Sequence, residues 1–232
     1  MKLAVSWSGG MESCLACHRA MVQGYDVEYL VTFILDSWPS ACHPLHIMEL
    51  QSQAIGIPHL KMEVDEPYRE GYRKSISKLI QEKGIEGIVI GDIYVVDSFH
   101  GRWMENICKG LDIEVISPLW GEDTRQILDE EMLEGFRGVF TCLKSPLFTE
   151  EWLGRELSKD SVEDLLALVD KKGMDPCGEN GEYHTMVIDG PIFKKTIQIS
   201  QLVKKKHNNR LFINITEASL QPKRYEHSKD LS

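Results

Sequence analysis

The stretch LAVSWSGGMESCLACH, residues 3–18, decides how the chain is read. It opens on a short apolar run, 3–7, that ends at a glycine pair. From Ser13 a helical pattern runs to Val22 and is closed by Gly24 just past its end. A strand, a glycine turn and a helix in that order bring the helix's free N–H groups and positive dipole end to the turn, where an anion is favoured. Glycine lets the backbone turn tightly and approach a ligand. Around Gly9 and Gly10, the side chains of Ser6, Ser8 and Ser13 add hydroxyl donors. The same residues also suit a plain strand-to-helix turn that uses Gly-Gly for geometry alone. Cys14-Leu-Ala-Cys17-His18 matches the C-x-x-C-H pattern of haem attachment. No export signal accompanies it, since MKLAVSWSGG is too short and too interrupted. On the helix these three residues fall at i, i+3 and i+4 of one face with no evident fourth metal ligand, which reads as core cysteines.

Outward from this stretch, strands and helices alternate. Apolar strands are expected at 27–35, 59–64, 87–90, 114–116 and 138–143, and helices at 45–55, 68–82, 99–109 and 124–134. That alternation predicts an α/β fold: a five-stranded, mostly parallel sheet with helices on both faces. Continuously apolar strands fit burial on both sides. Ligands in open α/β sheets bind beyond the carboxyl ends of the strands, so the loops at 8–13, 34–43 and 91–100 are expected to share one pocket. After about Ser145 the pattern changes. Segments 152–157 and 161–172 look helical, and two alternating strands follow at 196–200 and 211–215. The expected organisation is an α/β domain over 1–145, a smaller C-terminal α+β region over 146–220 and a polar tail over 221–232.

The chain has 232 residues, a formal net charge of −10 and 42% hydrophobic residues. This balance speaks against a broad nucleic-acid surface. No run approaches the roughly 20 apolar residues of a membrane helix. Six scattered cysteines do not form a disulfide framework, and a cytoplasmic location is expected. A homo-oligomer is compatible with all of this.

A second segment carries chemistry. Gly178-Glu179-Asn180-Gly181-Glu182-Tyr183-His184-Thr185 is dense in carboxylates and glycines. Glu179 and Glu182 can bind Mg²⁺ or hold an ammonium or amine, and His184 can take a proton from an incoming amine. An exposed polar turn leading into a strand is the alternative. Gly91-Asp92 ends a buried strand, where Asp92 either touches a ligand or caps the next helix.

These landmarks carry a resemblance. S-G-G-x-[DE]-S after the first strand is similar to the loop of the N-type ATP pyrophosphatases. Further matches recur in order: His43 followed by LQSQAIGIP, VIGDI at 89–93, SPLWGEDT at 117–124, EEWLGREL at 150–157 and GENGEYHT at 178–185. Together they resemble the diphthine–ammonia ligase family over residues 2–217. The resemblance implies an adenine nucleotide alpha-hydrolase-like, Rossmann-like sheet that binds ATP and Mg²⁺. It implies an AMP-forming amide ligase that adenylates a carboxylate and lets ammonia displace AMP. It implies nucleotide contacts from Ser6, Ser8, Gly9, Gly10, Glu12, Ser13, Gly91 and Asp92, a Mg²⁺ ligand in Glu12, and Glu179, Glu182 and His184 on the acyl side. The acceptor is either protein-borne diphthine or a small molecule. Asn180 and His184 depart from the diphthamide-type segment and resemble a sister branch associated with corrinoid salvage.

The loop itself departs at one position. Related pyrophosphatases carry lysine where this chain has Met11, and aspartate where it has Glu12. Three outcomes stay open: an active enzyme in which Arg102, Arg19 or Mg²⁺ supplies the charge, a slow ligase, or a module that binds nucleotide without cleaving it.

Overall fold

The computed structural model describes residues 1–35, 42–95 and 102–223. Five strands, β1 (Lys2–Ser6), β2 (Asp26–Ile34), β3 (His59–Glu63), β4 (Gly87–Val89) and β5 (Glu114–Ile116), form a parallel sheet in the order β3-β2-β1-β4-β5. Helices α1 (Met11–Val22), α2 (Leu45–Ile55), α3 (Tyr68–Lys83) and α4 (Trp103–Cys108) connect them. The strands read as unbroken apolar runs because alternate side chains enter two cores. Leu3, Val5, Leu30 and Val89 join the core shared with α1 and α2, while Ala4, Val31, Phe33 and Ile88 join the core under α3 and α4. The α/β expectation is met.

Helix α5 (Thr124–Leu133) then leads to a second, antiparallel sheet. It contains β6 (Arg137–Lys144), β7 (Glu156–Leu157), β8 (Tyr183–Asp189), β9 (Lys195–His207) and β10 (Arg210–Pro222), with order β7-β6-β10-β9 and β8 paired to β6. A single-turn 3₁₀ segment, Glu150–Trp152, and α6 (Val162–Lys172) lie between β6 and β8. In the sequence, strand β6 reads as a continuation of the first pattern. It pairs antiparallel with β7, β8 and β10 instead, so the change of sheet falls between Ile116 and Arg137, ahead of residue 145. A buried apolar run looks alike in either kind of sheet, and local periodicity carries no direction.

Segment 152–157 is not a helix. Gly154 takes φ +76° and breaks it, and Trp152 packs edge-on against Phe140. The strands expected at 196–200 and 211–215 extend to 13 residues each, joined at Asn208-Asn209, where Asn208 adopts φ 51°. Such a tight turn needs a left-handed residue, and asparagine tolerates it. The polar tail begins within β10, and 224–232 lie outside the described residues, as does the first part of the helix expected at 99–109. The second sheet shares its core with α1, α2 and α5, so the 178–185 segment lies against the glycine loop.

Candidate functional site

Ser6 and Trp7 at the end of β1 lead into the glycine loop. Three hydrogen bonds close that loop on itself: Gly10 N–H donates to Ser8 Oγ (3.2 Å), Ser8 Oγ–H to Ser13 Oγ (3.1 Å), and Ser13 Oγ–H to the Gly10 carbonyl (3.1 Å). Gly9 sits at φ +74°, and a Cβ there would lie 2.4 Å from Gln51 Oε1. Gly91 is glycine for a different reason, because a Cβ would fall 2.9 Å from the Glu12 carbonyl carbon. The β4 end thus rests directly on the first turn of α1. No side chain caps α1, whose N-cap is Gly10. The first N–H groups of a helix have no intrahelical acceptor, so the uncapped turn at 11–13 is left facing the loop.

A cavity of about 270 Å³ opens over this turn. Its walls come from the carboxyl ends of the strands: Ser6, Ser8, Glu12 and Ser13, Thr32 with Phe33 and Leu35, and Ile90, Gly91 and Asp92. A second cavity of about 110 Å³ adjoins it, and Glu12 and Glu179 line both. Gly10, His43, Cys177, His184 and Thr185 line the second. Neither cavity's described lining contains a lysine or arginine, while the first carries the carboxylates Glu12, Asp92 and Glu179. A larger groove of about 540 Å³ on the second sheet, along β9, contains none of these residues.

Burial raises the acids here. Glu12 is pushed up to about 7, first by burial and then by Asp175, with its own backbone N–H acting in the opposite direction. Burial, followed by the charges of Glu12, Asp175, Asp92 and Glu182, pushes Glu179 to about 8. Beside them Glu131 is 1% exposed, its Oε1 meets no partner, and burial, with the charge of Glu12, raises it well above the usual carboxylate range. His184 moves the other way, down to about 4, through burial, His43 and Arg210. At neutral pH its ring is therefore uncharged.

The predicted residues do not all occupy equivalent places. Ser6, Ser8, Glu12, Ser13, Gly91, Asp92 and Glu179 line the first cavity, and Gly10 and His184 line the second. Gly9 is buried beneath the loop, where its carbonyl accepts from Val187 N–H (2.9 Å) and Gln51 Nε2 (2.9 Å). Glu182 is 6% exposed and turns into its own loop. Its Oε1 accepts from Asp175 N–H (3.2 Å) and Asn180 Nδ2 (3.4 Å), and its Oε2 meets no partner. His43 donates from Nδ1 to the Ser8 carbonyl (3.1 Å), and its ring lies 5.0 Å from that of His184.

Met11 is 2% exposed and points away from the loop, toward Gly138 of β6. Arg19 is not available to a phosphate: its guanidinium bonds Glu122, Glu130 and the Pro118 carbonyl. Arg102 stacks 4.5 Å from the Trp120 ring and bonds Glu105 (3.1 Å). Cys14 and Cys17 are fully buried, as core cysteines should be.

Two positioning residues escaped the sequence reading. Gln51 is fully buried and makes three bonds: it accepts from Trp7 Nε1 (3.0 Å) and donates to the carbonyls of Gly9 (2.9 Å) and Val187 (2.8 Å). It ties the glycine loop to the second sheet. A signal existed, because Gln51 falls on the apolar stripe of Ile47, Met48, Ala54 and Ile55. Asp175 anchors the acidic loop by accepting from Tyr94 Oη (3.0 Å), Thr124 Oγ1 (3.1 Å) and the N–H groups of Cys177 (2.8 Å) and Glu179 (3.3 Å).

Comparison with known families covers nearly the whole chain. Residues 1–115 match the diphthamide synthase N-terminal domain, and residues 123–220 match the diphthamide synthase C-terminal domain. The chain belongs to the diphthamide synthase family. The junction of the two matches falls where the sheets change. Diphthine–ammonia ligase of Mus musculus is 27% identical over 91% of this chain and 88% of its own length. The Homo sapiens protein of the same name is 27% identical over 85% and 82%. The Schizosaccharomyces pombe protein is 26% identical over 90% of this chain, which spans only 38% of that longer relative. A solved structure of a predicted subunit of tRNA methyltransferase from Methanocaldococcus jannaschii is similar at TM-score 0.46 and 19% identity, over 82% of this chain and 97% of that one. No helix among the described residues is long and apolar enough to cross a membrane.

Proposed function

We propose that the chain is an ATP-dependent, AMP-forming amide ligase that joins ammonia to a substrate carboxylate. The observation that carries this reading is the contact between two unlike surfaces. The uncapped start of α1 offers N–H groups to an anion, and across Glu12 it meets a carboxylate, Glu179, raised to about 8. The names of the relatives support ammonia as the nucleophile and diphthine as one acceptor. The substitutions at Asn180 and His184 leave a small-molecule carboxylate of corrinoid type as the other.

The triphosphate would lie over 8–13, held by backbone N–H groups and the serine hydroxyls, with the adenosine toward Thr32, Phe33, Leu35 and Gly91. The residues present fit Mg²⁺. Glu12 is a hard oxygen donor raised first by burial and then by the charge of Asp175, and a divalent cation would offset both by favouring its ionised form. No group of three or more His, Cys, Asp or Glu among the described residues is arranged to hold a metal alone. That suits an ion held by one or two carboxylates together with substrate phosphates. When bound, Mg²⁺ supplies the positive charge that the described lining lacks.

A substrate carboxylate oxygen then attacks the α-phosphorus, the bond to the β-phosphate oxygen breaks, and pyrophosphate leaves. The acyl-adenylate formed is attacked by ammonia, and AMP departs. Ammonium must first lose a proton. Glu179, raised to about 8, is matched to that task better than His184, lowered to about 4. His184 serves as a neutral wall of the smaller cavity, and Glu182 shapes the loop that presents Glu179. One observation favours a second reading, a nucleotide-binding module without turnover: the cavities' described lining holds no lysine or arginine. Product analysis separates the two. Ammonium-dependent release of AMP and pyrophosphate supports the ligase, and ATP binding without any turnover supports the module.

A further inference from the structure

His184 lines the smaller cavity and also begins a row of residues across the second sheet. Residues paired directly opposite one another share a face of the sheet. His184, Cys142, Phe212 and Lys205 therefore stand side by side across β8, β6, β10 and β9. Lys144, Arg210 and His207 form the next row of the same face, toward the β9–β10 hairpin tip. Arg210 ties this face to the cavity, because its Nη1 donates to the carbonyl of Gly181, one of the lining residues. Neither row contains an acid. Lys205 and His207 are exposed, while Lys144, Arg210 and Phe212 are half-buried. Among the described residues no ion pair engages Lys144, Lys205 or Arg210. A chain of net charge −10 thus gathers three uncompensated cations beside its acidic loop.

We propose that this face, with Lys144, Lys205, His207 and Arg210 around Phe212, docks an extended acidic segment of a protein acceptor whose reacting carboxylate enters the smaller cavity. The inference rests on the ligase reading for the place of that carboxylate and adds the class of acceptor. From His184 to Lys205 is three strand spacings, about 14 Å, which an extended chain covers in roughly four residues. A carboxylate small enough to fill a cavity of about 110 Å³ ends short of Lys205. The sheet face would supply positive charge that both cavity linings lack. It does so outside the site of chemistry, where it steers and selects an acidic partner without competing for the phosphates. Nucleic acid fits this face less well. Its binding draws on many phosphate contacts, and the one half-buried ring, Phe212, is a poor stacking platform.

A plainer role covers only part of the pattern. Lysines on a free strand edge discourage unwanted pairing, and β9 is an edge strand with Lys204, Lys205 and Lys206 exposed along it. Lys144 and Arg210 lie on β6 and β10, inside the sheet, where no edge needs guarding. Lys206 marks the other face, since it pairs with the buried Leu211, and Lys204 donates to the Glu150 carbonyl (2.8 Å).

The test is fluorescence anisotropy of a fluorescein-labelled hexaglutamate peptide with the purified full chain, at low and at physiological salt. Saturable binding is expected, and it should weaken as salt rises. Lys205→Glu and Lys144→Glu should each weaken it roughly tenfold or more. Lys206→Glu, on the opposite face of the same strand, and Lys78→Glu, in the groove beside α3, should each change it less than about threefold. All four variants should melt as the native chain does and keep its Kd for ATP. Equal weakening by Lys206→Glu or Lys78→Glu would mean general charge attraction and overturns the proposal. So does the absence of saturable binding, or a parallel loss of ATP affinity in Lys205→Glu. Tighter binding of a hexauridylate RNA, or displacement of the peptide by citrate at equal carboxylate concentration, overturns it as well. The readout needs no turnover, so a chain that binds the peptide in this way yet forms no AMP overturns the ligase reading alone.

Discussion

Two glycine loops face each other in this molecule and solve opposite problems. The loop at 8–13 contains Gly9 and Gly10, satisfies its hydroxyls internally and leaves a helix start uncapped. The loop at 175–185 contains Gly178 and Gly181 and gathers Asp175, Glu179 and Glu182, of which Glu179 is raised by burial and by the neighbouring carboxylates. On the proposed reading, one would hold an anion through neutral N–H groups and the other a cation or a proton through carboxylates. Their shared residue is Glu12, which lines both cavities. A chain with no lysine or arginine in these described linings can still pair phosphate with amine chemistry, provided the positive charge arrives with the ligands.

The sharpest way to break the comparison is to neutralise the acidic loop. Glu179→Gln should lower ammonium-dependent turnover by about 10²–10⁴ while changing the Kd for ATP by less than about threefold. Equal loss of ATP binding and turnover would mean that Glu179 belongs to the nucleotide side. Next in size is Gly9→Ala. A Cβ meets Gln51 Oε1 at 2.4 Å and the backbone is held at φ +74°. ATP binding by calorimetry should weaken roughly tenfold or more, given about 1–2 kcal/mol of left-handed strain before any clash. Gln51→Leu leaves the Trp7 indole N–H and the Val187 carbonyl without their Gln51 partner, so urea unfolding should show a loss of about 2–4 kcal/mol.

A smaller effect concerns pH. Because the folded values of Glu12 and Glu179, about 7 and 8, lie above their unfolded values, the folded state holds extra protons between roughly pH 4.5 and 8. Stability without ligand should therefore fall as pH rises through that window, by roughly 2 kcal/mol after solvent screening. Glu179→Gln should flatten the slope of Tm against pH. Cation binding should follow the opposite course and strengthen toward pH 8, because protons must leave first. An unchanged slope in the variant would remove Glu179 from the account of the acidic loop.

Much of this was legible in the sequence, and the reasons for the gaps are physical. The first sheet was readable because its strands bury both faces and its helices end at glycines. The grouping of Ser6, Ser8, Glu12 and Ser13 at one cavity was readable because a strand, a glycine turn and a helix leave few geometries open, whereas Gly91 and Asp92 entered through the resemblance. Strand β6 was misplaced because a local apolar run does not encode its partner. Met11 looked like a missing phosphate contact only as long as its direction was unknown; it lies in the core against Gly138. Restoring lysine there would bury an ammonium group rather than deliver it to the loop. Glu182 and His184 share a motif with Glu179, yet burial and neighbours separate the three, and no spacing rule anticipates that.

The central claim is that this pair of loops couples adenylation to amide formation. The most direct measurement supplies ATP, Mg²⁺, ¹⁵N-ammonium and a panel of carboxylate acceptors that includes a diphthine-bearing protein. Phosphorus resonances and acceptor mass are followed together. The account predicts AMP and pyrophosphate in equal amounts, with one ¹⁵N appearing in one acceptor for each AMP. Production of ADP and phosphate, or AMP without nitrogen transfer to any acceptor, would contradict it.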